Sequence, residues 1–505
     1  MIQNQLPILI IAIPLFCAFF ISLSMGKNKT GVYLLLITAM FGSFIASCMT
    51  LLQVINSNSP IHYHLGGWQP PFGIELVIDH LSGMVLVLIS TIALLTAIYS
   101  FHPVRKDISD RAHHYYALFC LLISGLLGMT ATGDAFNLYV LLEISALASY
   151  ALLASSVLAA SRGLAYFATF KYLIMGTIGA CFYLLGVGYL YIKTGSLNMA
   201  DLSGLLNSDI LLQSVTIKVG FILMIIGVWI KMAFFPLHGW LPNAYSYAST
   251  TTSSLIAPLM TKVSVYIMIR LMFSIFSVEY VFHTLPYHQV VIWMACAAII
   301  FGSVSALSQH NLKRMLCYII VAEVGYMVGG VWLANESGLT GAVYHIFADG
   351  MMTLCLFMAA GAFIFKTDRE SIHEMTNIFR RMPVTAVVFL VGGFSIIGIP
   401  PTCGFFSKWY LITGAIEGGQ WLFVASLLFS SLINCIILFR IIEIGYFPKF
   451  DSERSTSNEK AVKTNEVPLT MLVPMVITAC SLIVIGLYTN EIISVLIRWT
   501  IPAGL

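Results

Sequence analysis

The chain has 505 residues, of which 59% are hydrophobic and 9% charged, with a formal net charge of +3. A soluble domain carries about 25% charged residues, so large water-exposed domains are excluded, and so small a net charge gives no footprint for nucleic acid. The ten cysteines are scattered without a CxxC pair and read as small core residues rather than a metal or disulfide framework. Neither a Walker loop, nor a dinucleotide fingerprint, nor an iron–sulfur cysteine cluster occurs, so no cofactor is expected and no redox centre of the chain's own.

In chain order, apolar stretches of bilayer length recur. We expect about 14 spans near residues 6–24, 31–56, 80–100, 113–131, 134–156, 162–192, 215–235, 252–274, 287–308, 311–333, 339–365, 383–416, 420–446 and 467–489. The first lacks a basic leader and a small-residue cleavage site, so it reads as a retained span. The stretch 57–79 is turn-rich with short alternating runs and predicts a small hairpin. The polar stretch 450–467 predicts a flexible cytoplasmic loop. Most loop lysines and arginines, from Lys27 and Arg105 through Lys313, Arg314, Arg380 and Lys449 to Lys463, fall in alternate loops; the other loops and the tail hold only Lys193, Lys218 and Arg498. The positive-inside rule then puts both termini outside a bacterial plasma membrane.

The seventh span organises the chain. Residues 217–247 read IKVGFILMIIGVWIKMAFFPLHGWLPNAYSY. An apolar helix runs into Lys231, then Pro236 and Pro242, so it must break at membrane depth, because proline removes a backbone donor and clashes with the preceding turn. In the twelfth span GFSIIGIPPTCGFFSKWYLITGA presents an apolar run, Pro400-Pro401 and then Lys408. Broken helices carrying charge near the midplane mark ion-handling transporters.

Further charges lie within the spans. Glu143 has apolar neighbours and must pair or stay protonated; Lys231 is its natural partner. Lys171 and Lys262 sit in apolar surroundings where an ammonium readily loses its proton. His238 after the break and His345 in the eleventh span are candidate relays near neutral pH. Glu323 and Asp349 are two more buried carboxylates, while Arg270 and Arg440 sit near span ends, where snorkelling is credible. Two series emerge: Glu143, Lys171, Lys231, Lys262 with steps of 28, 60 and 31, and Glu323, Asp349, Lys408, Arg440 with steps of 26, 59 and 32. Each covers five spans, an odd number, so the second copy is inverted relative to the first. The expected fold is an all-α polytopic membrane protein with two inverted five-helix repeats, spans four to eight and nine to thirteen, each with a broken helix. The divisions fall at 1–110, 111–275, 285–447 and 448–505.

Several stretches carry a family likeness: YVLLEISALASYAL, KMAFFPLHGWLPNAY, PLMTKVSVYIMIR, HNLKRMLCYIIVAEVGYM and GIPPTCGFFSKW. The chain resembles, over essentially its whole length, the antiporter-like proton-channel subunits shared by respiratory complex I, membrane-bound hydrogenases and Mrp-type cation/proton antiporters. Within that family it looks most like the D-type component of the Mrp antiporters. The resemblance implies that Glu143 and Lys231 form an essential ion pair, that Lys262 is a central-axis lysine with His238 nearby, and that Lys408 ends the second half-channel. It implies a proton-translocating subunit of a Na⁺/H⁺ antiporter complex, with other membrane subunits as partners. A proton-pumping subunit of a redox complex is the alternative. Three positions depart from the family's habit: Glu323 replaces a frequent histidine, Asp349 a usual lysine and Ser249 a common proline. The two carboxylates could carry protons, or favour a hard cation such as Na⁺.

Overall fold

A computed structural model describes residues 5–23, 29–155, 162–206, 211, 213–285, 287–447, 464–502 and 504–505. The long helices are α1 (Leu6–Leu23), α2 (Lys29–Ser57), α3 (His80–Tyr99), α4 (Ala112–Ala131), α5 (Ala135–Ser155), α6 (Arg162–Thr194), α7 (Val215–Met232), α8 (Thr250–Arg270), α9 (His288–Leu307), α10 (Leu312–Trp332), α11 (Glu336–Thr367), α12 (Pro383–Ile397), α13 (Cys403–Glu417), α14 (Trp421–Tyr446) and α15 (Leu469–Leu487). Among the described residues, 13 helices are long and apolar enough to cross a membrane. The twelfth span is instead two 15-residue halves, α12 and α13. The protein is thus a multi-pass, nearly all-helical membrane protein. The loop expected at 450–467 lies mostly outside the described residues.

Burial sorts the helices into a centre and a rim. In α8, α10 and α11, 94% of the most apolar window is buried inside the protein, against 39% in α1, α2 and α6. The central helices therefore need not match lipid on every face and can hold polar groups, whereas a lipid-facing helix cannot. Side-chain oxygens accept the free amides at their first turns. Ser249 caps α8 through Thr252 N, Asn311 caps α10 through Arg314 N, and Asn335 caps α11 through Gly338 N. Capping by a side-chain oxygen satisfies amides that would otherwise be orphaned. Serine at 249, where the related family commonly has proline, thus has a local role.

The stretch 57–79 forms the expected hairpin. Strands β1 (Ile61–His64) and β2 (Glu75–Ile78) pair antiparallel, with His64 opposite Glu75. Leu76 bridges to Thr132, at the end of α4. The Tyr63 hydroxyl donates to Gln5 Oε1 at 2.6 Å, and the His80 ring stacks on Trp499 at 5.5 Å. Gln5 and Trp499, near the two ends of the described chain, therefore lie on the hairpin face. On the opposite face Lys106 pairs with Asp368 at 2.6 Å and Lys313 with Glu370 at 3.3 Å.

Both breaks are built around a left-handed residue. Helix α7 ends with Ala233 at φ 58, and α12 ends with Gly398 at φ 92. The freed carbonyls are then satisfied differently. Ile230 O accepts from the Trp240 indole at 3.0 Å. Ile396 O and Ile397 O accept from the Lys408 ammonium at 2.6 and 3.2 Å. Pro242 does not add a second break: it sits in the first turn of the short helix Leu241–Tyr247, where its missing donor costs nothing.

Candidate functional site

Helices α5 and α7 bring Glu143 and Lys231 together, with Nζ and Oε1 3.4 Å apart; the lysine side chain is 6% exposed and the glutamate 24%. Lys231 lies two residues before the left-handed cap, in the last turn of α7. A cation there interacts favourably with the helix C-terminus as well as with the carboxylate. His238 sits in the broken segment between Phe235 and Phe301, at ring distances of 5.3 and 5.0 Å. It is buried, and its Nδ1 has no hydrogen-bond partner among the described residues.

A second pair forms at the centre. Lys262 on α8 meets Asp349 on α11 at 2.9 Å, with side chains 1% and 0% exposed. Lys262 also donates to Thr353 Oγ1 at 3.2 Å, and Thr353 donates to Asp349 Oδ1 at 2.8 Å. The sequence grouped Lys262 with Lys231 and Asp349 with Glu323. In the structure Asp349 instead meets the lysine of the other charged series. An ion pair so buried is retained only with close geometry and extra hydrogen bonds, and Thr353 supplies them.

One turn along α11, His345 Nε2 lies 2.6 Å from Glu323 Oε2 on α10, both fully buried. Its Nδ1 lies 2.9 Å from Ser407 Oγ on α13. The next residue, Lys408, bonds Ser431 at 2.9 Å besides the two carbonyls and stands 5.2 Å over the Tyr326 ring. His345, Asp349 and Thr353 recur at every fourth residue, so α11 turns one polar stripe inward. Polar groups thus run from Lys262 through Asp349, His345 and Glu323 to Lys408. Thr353, Ser407, Ser431 and Tyr326 were not singled out in the sequence. Thr353 and Ser407 carried a signal, four residues beyond Asp349 and adjacent to Lys408.

Other predicted residues lie apart from this line. Lys171 is exposed on α6, with its ammonium 4.6 Å above the Phe167 ring. Arg270 does not snorkel freely: it pairs with Asp79 at 2.6 Å. Arg440 donates to Leu307 O at 3.1 Å and stands 3.1 Å from His373 Nε2. The two broken-helix lysines also differ in place: Lys231 precedes its left-handed cap, whereas Lys408 follows Gly398 by ten residues. They are not equivalent positions of a repeat aligned on the breaks.

Fold and site together define a polytopic membrane protein with a buried line of paired lysine, carboxylate and histidine side chains. Residues 132–434 match the family described as NADH:quinone oxidoreductase/Mrp antiporter, transmembrane, and the chain belongs to that family. It is 41% identical over 507 residues, 99% of each chain, to the N subunit of the NADH-quinone oxidoreductase of Desulforudis audaxviator. It is 31% identical to the D subunit of the Na(+)/H(+) antiporter of Bacillus subtilis, covering 90% of this chain and 89% of that one. Among solved structures, a chain of the membrane-bound sulfane sulfur reductase, an archaeal respiratory membrane complex, superposes with a TM-score of 0.88 at 30% identity over 98% and 97% of the two chains. A chain of the Mrp complex from Dietzia sp. shares the fold, with a TM-score of 0.87 at 22% identity over 99% and 97%.

Proposed function

We propose that this chain is the proton-translocating membrane subunit of a multisubunit monovalent cation/proton antiporter in a bacterial plasma membrane. The observation that carries the reading is the buried series of charge pairs Glu143–Lys231, Lys262–Asp349 and His345–Glu323, ending at Lys408. Charges cost several kcal/mol each to bury, and a scaffold has no use for three such pairs. The likeness to a component of the Bacillus subtilis Na(+)/H(+) antiporter supports the cation.

The mechanism follows from electrostatics. An entering proton or cation weakens the Glu143–Lys231 contact. Lys262, held as an ammonium against Asp349, passes its own proton to that carboxylate, and Lys231, without its anion, gives its proton onward to the neutral Lys262. Protonation of Asp349 removes an anion from the line and shifts the balance at His345 and Glu323, and so at Lys408. Lys171, exposed on α6, is assigned to the outer surface of the chain rather than to this line. His238 stands beside the first break as a relay. Both carboxylates of the second half already face a nitrogen, an arrangement that favours protons over Na⁺ at Glu323 and Asp349.

Spans four to eight and nine to thirteen are proposed as inverted repeats within 111–275 and 285–447, supported by the left-handed cap in each broken helix. The hairpin face is assigned to the outside because basic residues crowd the other.

The test is transport by the intact copurified complex in vesicles, read as Na⁺-dependent ΔpH. Glu143→Ala and Lys231→Ala should abolish it while the complex still assembles. Wild-type rates in either variant would refute the assigned roles. A redox-driven proton pump is the second reading, favoured by the 41% identity to a component of an NADH-quinone oxidoreductase. Copurified cofactor-bearing peripheral subunits, with no Na⁺-dependent ΔpH, would decide for it.

A further inference from the structure

We infer that the hairpin face carries a proton-exchange site built from Glu75, His62 and His64, opening into a small cavity against Arg270. It rests on the proton-translocating reading and adds where protons meet the water on that face.

Glu75 begins β2 and is 4% exposed. Its two oxygens face different neighbours. Oε1 accepts from Asn198 Nδ2 at 2.8 Å, which pins the hairpin to the loop before the short helix Met199–Leu206. Anchoring needs only that oxygen. Oε2 faces His62 Nδ1 at 3.3 Å and His64 Nε2 at 3.7 Å. The two histidines are two residues apart on β1, so they share a face of the hairpin. Their side chains are 49% and 38% exposed. A buried carboxylate therefore meets two imidazoles at the solvent edge, and imidazole is the side chain that exchanges protons near neutral pH.

Behind them lies a cavity of about 100 Å³, lined among others by His62, Glu75, Thr132, Ala200, Arg270 and Ser274. That is room enough to admit water. Its far wall leads inward. Lys262, Tyr266 and Arg270 recur at every fourth residue of α8, so they form one stripe from the central ion pair to the cavity. Arg270 Nε donates to Tyr266 Oη at 2.8 Å, and Tyr266 Oη donates to Thr130 O at 2.7 Å. Arg270 would repel protons if its charge were bare. Burial pushes the Asp79 carboxyl up, but the Arg270 guanidinium, with the Ser82 amide and hydroxyl, brings it below the usual carboxylate range. Asp79 thus stays ionised at 2.6 Å from Arg270 and balances it.

Of the other titratable groups near the hairpin, the Asp134 carboxylate accepts from Asn137 N at 2.6 Å and the His80 ring stacks on Trp499, while Asp201 meets Asn198 Oδ1 through its backbone amide at 3.0 Å. Neither aspartate pairs with His62 or His64 among the described residues. The chemistry is proton hopping alone: an imidazole and Glu75 Oε2 exchange a proton with bulk water on one side and cavity water on the other.

The intact complex in vesicles tests this, with pH varied on the hairpin side only. Glu75→Gln keeps an acceptor for Asn198 but cannot titrate. Its proton transport should fall about a hundredfold, the lower end of what a positioned acid–base group contributes, with a weaker response to hairpin-side pH. Glu75→Asp should recover part of the rate. Ala200→Phe, at an exposed position on the cavity rim, should give the same loss with Glu75 intact. Copurified partner subunits check assembly. A complex that moves protons and in which Glu75→Gln and Ala200→Phe both match wild type in rate and pH profile would overturn this site alone. A wild-type complex that moves no protons would overturn the parent reading and this site with it.

Discussion

Lys262 and Asp349 each lie in a site that one charge alone could not occupy. Both are at most 1% exposed, and Thr353 bridges them. Removing one partner of a buried pair leaves an uncompensated charge and costs about 3–5 kcal/mol. Lys262→Met and Asp349→Asn should therefore each lower the melting temperature of the purified complex and abolish transport. The double variant Lys262→Met/Asp349→Leu should regain most of the stability, since well-packed apolar residues replace buried pairs at little cost, yet stay inactive. Recovery of transport in the double variant would show that the pair is structural. The Glu143–Lys231 contact was legible in the sequence because each charge sits in a plainly apolar span and needs a partner. The Lys262–Asp349 contact was not. The residues are 87 positions apart, and helix periodicity tells which face of α11 is polar but not which helix that face meets.

At the scale of elements, the broken helices show which features of a sequence carry a fold. Prolines announced both breaks, but the chain leaves helical geometry a few residues earlier, at Ala233 and Gly398. Gly398 has φ 92, and a Cβ there would stand 3.2 Å from Lys408 Cδ. Left-handed backbone costs an L-residue about 1–2 kcal/mol. Gly398→Ala should therefore destabilise the complex by roughly that amount and displace the ammonium that caps Ile396 O and Ile397 O. Gly188 in α6 is the control. An added Cβ meets nothing within 4 Å there, and alanine is favoured over glycine in a helix interior by about 1 kcal/mol. Gly188→Ala should leave thermal stability unchanged or raise it. Equal melting temperatures for the two variants would show that the break is not held by Gly398. The lysines were harder to place than the breaks. Matching steps of 60 and 59 residues suggested equivalence, whereas Lys231 lies in the last turn of one half-helix and reaches Glu143, and Lys408 reaches back from the start of the next to the carbonyls of the break.

For the whole molecule, hydropathy and charge alone sufficed to locate the spans, because bilayer length and internal backbone pairing leave few alternatives. The twelfth span failed only the length criterion, being divided into α12 and α13. Orientation is the property left to a physical argument. Gln5 on Tyr63, and Trp499 on His80, tie both ends of the described chain to the hairpin face. The opposite face carries the ion pairs Lys106–Asp368 and Lys313–Glu370 with Arg314, Arg380 and Arg381 nearby in sequence. Basic loops resist translocation, so that face should stay in the cytoplasm and the C-terminus should emerge outside. A reporter enzyme that folds only outside the plasma membrane, fused after Leu505, should be active, and a fluorescent protein that matures only in the cytoplasm should stay dark. Fusions after Thr367, which ends α11 on the basic face, should give the reverse. A bright fluorescent C-terminal fusion would invert the assignment. It would also move the Glu75 cavity to the cytoplasmic side, where it would exchange protons with the cell interior.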